Sequence, residues 1–202
     1  MSVTAYQQAQ QEGQSVVRAV ILDAAKSLLI AEGPAALTVR RISGEVGCST
    51  KVIYTLFGGK DGLGQALWVE GFVQFERRLL EVPHDDDALA HLGAGIAAYR
   101  EYALEEPDYY RVMFQGVLSG YVLDETARKA ARRPFRMLVS GVQRCLDEGR
   151  LQGGAAVEIA DMLWMAMHGA VSLEISGFFD RAEAERRYRL LWTSVLHPFL
   201  AP

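Results

Sequence analysis

Residues 38–60, T-V-R-R-I-S-G-E-V-G-C-S-T-K-V-I-Y-T-L-F-G-G-K, constrain the fold more tightly than any other stretch of the chain. They break into two short helices around a tight turn. Thr38 can cap a first helix whose apolar positions Val39, Ile42 and Val46 share one face, and Gly47 can take the left-handed conformation that stops it. A second helix follows almost at once. Ser49 stands where a side-chain oxygen can accept from the free N–H groups at its start. Val52, Ile53 and Phe57 give this helix an inward side, which leaves Thr50, Lys51, Tyr54 and Thr55 outward.

Two short helices joined by a turn containing Gly, the second exposing hydroxyls and a cation at its N-terminal end, form the layout of a helix-turn-helix. A helix that reads duplex DNA must be slim at the end entering the major groove, turn its free N–H groups toward phosphate, and offer donors to base edges. Residues 49–55 meet all three demands. As an ordinary helical hairpin, the same pattern would leave Lys51 and Tyr54 as plain surface.

Residues 21–63, with I-L-D-A-A, L-T-V-R-R-I, G-C-S-T-K-V-I-Y-T-L-F and G-K-D-G-L in order, resemble the DNA-binding domain of the TetR (tetracycline-repressor) family. The resemblance implies that Thr38 and Ser49 sit on phosphates, that Thr50, Lys51 and Thr55 face bases, and that Tyr54 and Lys60 clamp the backbone. Arg40 and Arg41 are counted with them as DNA-binding residues. Two positions depart from the family's pattern: Leu56 stands where a histidine is frequent, and Lys51 where a small residue is common. Both bear on which operator sequence would be read.

A net charge of −4 looks wrong for a DNA binder until the chain is divided. Residues 1–60 carry six basic side chains (Arg18, Lys26, Arg40, Arg41, Lys51, Lys60) and four acidic ones (Glu12, Asp23, Glu32, Glu45), a net of +2 against −6 for the remainder. Phosphate attraction acts within a Debye length of about 8 Å, so the sign of the small domain outweighs the total. Half of the 202 residues are hydrophobic, yet no run approaches the length of a membrane span. The first residues have neither the basic start nor the apolar core of a secretory signal, and the expectation is a cytoplasmic protein with no membrane partner. Cys48 and Cys145 make neither a disulfide framework nor a metal motif. Cys48 precedes a helix N-terminus, where a thiol pKa can be lowered, but it also suits a small apolar slot.

Taken in order, residues 1–14 read as a flexible polar arm and 15–60 as the helix-turn-helix domain, opened by a helix over 15–32 with Val17, Ile21, Ala25, Leu28 and Leu29 inward. Arg18 on this helix is a further candidate phosphate contact. Residues 61–202 form the second domain. A long helix opens at Lys60-Asp61 and reaches about Leu80. The run G-G-K-D-G at 58–62 lacks the spacing and the Ser/Thr after Lys of a P-loop, so nucleotide hydrolysis is rejected. Pro83 and Asp85, Asp86 and Asp87 break the chain before a helix over 88–105 with Leu92, Ile96 and Tyr99 inward. His84, His91 and these aspartates could hold a metal ion, but capping is the simpler use of carboxylates here, and no metal site is assigned.

A short helix starts at Pro107 and is expected to end at Gly120. Residues 124–149 are helical again, with Pro134 either kinking the helix or opening its second part. Residues 155–177 are apolar nearly all round, and 181–197 repeat the demand with Tyr188, Leu191, Trp192 and Val195. Such helices need cover on more than one side, which a second copy of the chain supplies. The expected architecture is all-α: an N-terminal three-helix domain and a C-terminal helical bundle that dimerises through its last two helices.

Y-R-E-Y-A-L-E-E-P-D-Y-Y-R-V-M-F from Tyr99 and W-M-A-M-H-G from Trp164 are similar to the WHG-type C-terminal ligand domain of some TetR-family members, with Trp164, His168 and Gly169 as its Trp, His and Gly. Phe72, Phe75, Tyr109, Tyr110, Met113, Phe114, Trp164, Met165 and His168 have the aromatic and thioether character that an apolar small-molecule cavity needs, and equally that of any helical core. The family likeness is what implies that some of them are pocket walls.

The leading expectation is a homodimeric transcription regulator, a repressor that binds a near-palindromic DNA operator and is released by a small, mainly apolar effector, with no cofactor. The alternative is a small-molecule binding or sequestering protein without sequence-specific DNA binding. With His84, His91, His168 and His197 as the only histidines, and no nucleophile beside a recognisable base, no catalytic constellation exists in the sequence.

Overall fold

The computed structural model describes residues 4–118, 121 and 123–202. The described residues form nine α-helices: α1 (Ala5–Glu32), α2 (Val39–Val46), α3 (Thr50–Phe57), α4 (Lys60–Leu80), α5 (Ala88–Glu105), α6 (Pro107–Phe114), α7 (Glu125–Asp147), α8 (Ala156–Ile175) and α9 (Arg181–Leu196). The one isolated β-bridge among them joins Leu151 to Leu200. The fold is all-α, with the helix-turn-helix in the N-terminal helices and a helical bundle after it. Among the described residues no helix is long and apolar enough to cross a membrane.

The chain divides into two compact units. One is Met1–Gly71 with Asp108–Arg128, and the other is Phe72–Pro107 with Lys129–Pro202. In the first, Ile21, Leu22, Ala25 and Leu29 of α1 are buried with Leu37, Ile42, Ile53, Phe57, Leu63 and Leu67. Gly47 (φ +74°) and Gly58 (φ +74°) end α2 and α3 in the left-handed conformation, at two positions where a side chain would be strained. Arg18 lays its guanidinium 4.7 Å from the Phe57 ring centre and reaches the Leu56 carbonyl at 3.5 Å, so α1 braces the far end of α3. Trp68 on α4 donates to the Met113 carbonyl at 3.1 Å, and Lys26 lies 4.4 Å over the Tyr109 ring, which attach α6 to this unit.

In the second unit, Leu92, Ile96 and Tyr99 of α5 and Ile159, Leu163, Met167 and Val171 of α8 are buried. Tyr188 of α9 donates to the Ile96 carbonyl at 2.8 Å. Asp87 caps α5 by accepting from the amides of Leu89 and Ala90 and also pairs with Arg150. Cys145 is buried on α7, and burial pushes its thiol up to about 11.

Several boundaries differ from the sequence expectations. Helix α1 starts at Ala5, well before Ser15, because Thr4 and Gln7 form a reciprocal cap: Gln7 N–H donates to Thr4 Oγ1 (3.3 Å) and Thr4 N–H to Gln7 Oε1 (2.9 Å). Residues 5–14 are therefore helical turns, and Val17, expected inward, is 40% exposed. Helix α6 ends at Phe114, where Gly116 (φ +66°) turns the chain; Gly120, the expected stop, lies outside the described residues. Pro134 sits inside a continuous α7.

Candidate nucleic-acid interface

Residues 38–60 carry four cations, Arg40, Arg41, Lys51 and Lys60, and a single carboxylate, Glu45. Local structure then decides which of these side chains are presented. Ile53 is fully buried and Phe57 nearly so, and Val52 is half-buried, which fixes the roll of α3 about its axis. Thr50, Lys51, Tyr54 and Thr55 are consequently exposed together, with Tyr54 at 58%. Thr55 donates its hydroxyl to the Lys51 carbonyl at 2.8 Å and keeps its oxygen lone pairs outward.

The two capping hydroxyls behave differently. Thr38 caps α2 in the expected way, its Oγ1 accepting from the Arg41 amide at 3.2 Å. Ser49 occupies the N-cap of α3 with extended backbone (φ −75°, ψ 149°), but its side chain makes no capping hydrogen bond. The Val52 amide turns back to the Ser49 carbonyl at 3.0 Å, while the amides of Thr50 and Lys51 receive no side-chain cap, and an uncapped helix start of this kind can receive an anion.

The arginines also divide. Arg41 is paired with Glu32 at 2.9 Å, and that hydrogen bond and charge raise its pKa further. Arg40 is exposed and has no carboxylate partner among the described residues. Lys60 opens α4 directly after the Gly58-Gly59 break, exposed, with its Nζ 5.4 Å from the centre of the Tyr121 ring. Tyr121 was missed in the sequence: no periodicity or motif ties it to Lys60. Cys48 is half-buried in the turn, its amide bonded to the Ser43 carbonyl at 3.0 Å.

The nine candidate ligand residues fall into two groups. Tyr109, Tyr110 and Met113 are buried and Phe114 half-buried in the unit that holds α3, with Tyr110 and Phe114 ring centres 5.2 Å apart. Phe72, Phe75, Trp164, Met165 and His168 belong to the other. There Tyr99 Oη lies 2.6 Å from His168 Nδ1, Phe75 packs edge-on to Tyr99 (5.4 Å) and stacks on Tyr102 (5.2 Å), and Trp164 lies 5.7 Å from His168. Burial holds the His168 pKa below the ordinary imidazole value. Met165 is 63% exposed on the outer side of α8, away from this cluster. Tyr99 and Tyr102 join the cluster; both lie in the stretch that resembles the WHG-type domain, and Tyr99 is expected inward, but neither is among the nine candidates. Among the described residues no group of three or more His, Cys, Asp or Glu side chains could hold a metal ion.

A helix-turn-helix with a polar, cationic exposed face, followed by a helical bundle, defines a DNA-binding regulator. Residues 21–67 match the family described as bacterial regulatory proteins, tetR family, and residues 92–195 match the tetracyclin repressor-like C-terminal domain. The chain belongs to the tetracycline-repressor family of helix-turn-helix transcriptional regulators, which are not enzymes. It is 27% identical over 172 residues to an uncharacterized HTH-type transcriptional regulator of Mycobacterium tuberculosis, covering 83% of this chain and 74% of that one.

Among solved structures, it is similar to a protein of unknown function from Rhodococcus sp. RHA1 (TM-score 0.79, 23% identity, 91% of this chain and 95% of that one). It is also similar to a TetR-family transcriptional regulator from Agrobacterium tumefaciens (0.67, 23%, 93% and 100%). A third is a transcriptional regulator from Saccharomonospora viridis in complex with choline (0.70, 20%, 93% and 100%). At these identities the likeness is one of fold.

Proposed function

We propose that this regulator is a ligand-responsive repressor that binds a near-palindromic operator as a homodimer. The observation that carries the reading is the exposed set Ser49, Thr50, Lys51, Tyr54 and Thr55, held outward by the burial of Ile53 and Phe57. Thr50, Lys51 and Thr55 read base edges in the major groove. Thr38, Ser49, Arg40, Tyr54 and Lys60 meet phosphates. Arg41 meets phosphate only by leaving Glu32. The outer faces of α8 and α9 pair with those of a second copy in a four-helix interface, which sets two recognition helices about 34 Å apart or a multiple of it.

Residues 61–202 carry the effector response, and the effector is a small, mainly apolar molecule. The choline complex of the Saccharomonospora regulator supports a small organic ligand for this fold. Release follows from a population shift: the effector binds the DNA-competent and DNA-released arrangements with different affinity, and only that difference moves the equilibrium.

Selection of bound duplexes from a random pool tests the reading. A recovered palindrome that Lys51→Ala or Tyr54→Ala variants no longer hold is the expected result. Recovery of no preferred sequence overturns it.

A further inference from the structure

We propose that Tyr121 is a positioning residue for Lys60: seated in a notch over Gly64, its ring holds the lysine ammonium ready for a DNA phosphate. The inference rests on the reading of Lys60 as a phosphate contact and adds to it a residue from the matched C-terminal domain, 92–195. A lysine stem has large rotamer freedom, so a side chain already held near its working position loses less of it on binding.

The holding group is an aromatic face. Lys60 Nζ is 5.4 Å from the Tyr121 ring centre, within the distance at which the ring quadrupole attracts a cation. Among the described residues Lys60 has no carboxylate partner to compete. The ring is seated by the absence of a side chain at Gly64, one helical turn after Lys60 on the same face of α4. A Cβ built there would come 2.4 Å from both Cδ1 and Cε1 of Tyr121, so only glycine admits the ring.

Tyr121 itself and Asp124 are each held by hydrogen bonds. The Tyr121 amide donates to the Leu118 carbonyl at 3.1 Å. Three residues on, Asp124 and Gln65 bond reciprocally: Gln65 Nε2 to Asp124 Oδ2 at 2.8 Å, and Asp124 N–H to Gln65 Oε1 at 3.1 Å. The buried Tyr121 hydroxyl meets no hydrogen-bond partner among the described residues. An orphan hydroxyl works against the seat, which leaves the ring face as what the position uses.

The test measures binding to the selected duplex, with a scrambled duplex beside it, as a function of salt. Lys60→Ala weakens binding and lowers the salt slope by about 0.9 for each phosphate no longer neutralised. Tyr121→Leu weakens it by about two- to five-fold for each subunit engaged, and Tyr121→Phe, which keeps the ring, recovers that loss. In the Lys60→Ala background Tyr121→Leu has no further effect. Gly64→Ala, whose Cβ would come 2.4 Å from the ring, displaces it from the other side and is expected to reproduce Tyr121→Leu; thermal unfolding of both variants shows which is folded, and the folded one carries the test. Losses from Lys60→Ala and Tyr121→Leu that simply add overturn the positioning role alone. An unaltered affinity and salt slope in Lys60→Ala overturn the phosphate contact itself, and the positioning role with it.

Discussion

Arg100 on α5 grips Glu174 near the end of α8 with two hydrogen bonds, Nε to Oε2 at 2.8 Å and an Nη to Oε1 at 2.6 Å. The same Nη donates to the Arg181 carbonyl at 3.3 Å, so one guanidinium ties α5 to both ends of the α8–α9 connection. The two side chains are only 9% and 6% exposed. The hydrogen bond to Glu174 is the main reason the guanidinium holds its proton more tightly than usual. A buried ion pair adds little against an apolar pair of the same shape, but breaking one leaves a charge stranded. Glu174→Ala is expected to lower the free energy of unfolding by about 3–5 kcal/mol in urea titrations, and the double replacement Arg100→Met with Glu174→Leu to recover most of it.

The neutral His168 sets a pH dependence. Burial depresses its folded pKa, and its Nδ1 accepts the Tyr99 hydroxyl at 2.6 Å when the ring is neutral. Above the ordinary imidazole value of about 6.5 both folded and unfolded states hold it neutral, and it contributes no slope. As pH falls below that value the unfolded chain takes up the proton first, so stability drops toward the folded pKa. Thermal or urea unfolding followed from about pH 7 to about pH 5 should show a loss in the wild type that His168→Asn lacks.

Thr38 and Ser49 separate capping from binding. Thr38→Ala removes the acceptor of the Arg41 amide and is expected to cost about 1 kcal/mol of stability. Ser49→Ala removes a hydroxyl that caps nothing, so its effect on stability stays within about 0.5 kcal/mol, while operator affinity falls. Chemical denaturation and DNA titration of both variants check the contrast.

The proposed dimer depends on an apolar surface that the single chain leaves open. Leu190 is 60% exposed on α9 and Met165 on α8 is also open. Leu190→Glu and Met165→Glu are expected to leave each chain folded, convert it to a monomer in sedimentation, and abolish tight operator binding with it.

Much of the DNA-facing half was legible in the sequence because its signals are local. Thr38 as a cap, Gly47 as a stop, and the Ile53 and Phe57 spacing act within one or two helical turns, and the structure has each where the pattern puts it. The reciprocal cap of Thr4 and Gln7 is equally local, and its T-x-x-Q spacing announces the true start of α1.

What the sequence by itself determined, then, is the all-α architecture, the helix-turn-helix and the side of α3 that faces outward, since caps, glycine stops and a 3.6-residue period need no distant partner. Only the tertiary structure decided that Arg41 is engaged by Glu32, that Tyr99 meets His168 sixty-nine residues away, and that Tyr121 lies against Gly64 beside Lys60. Those pairings depend on how helices separated in the chain pack against one another, and no periodicity within a single helix encodes that.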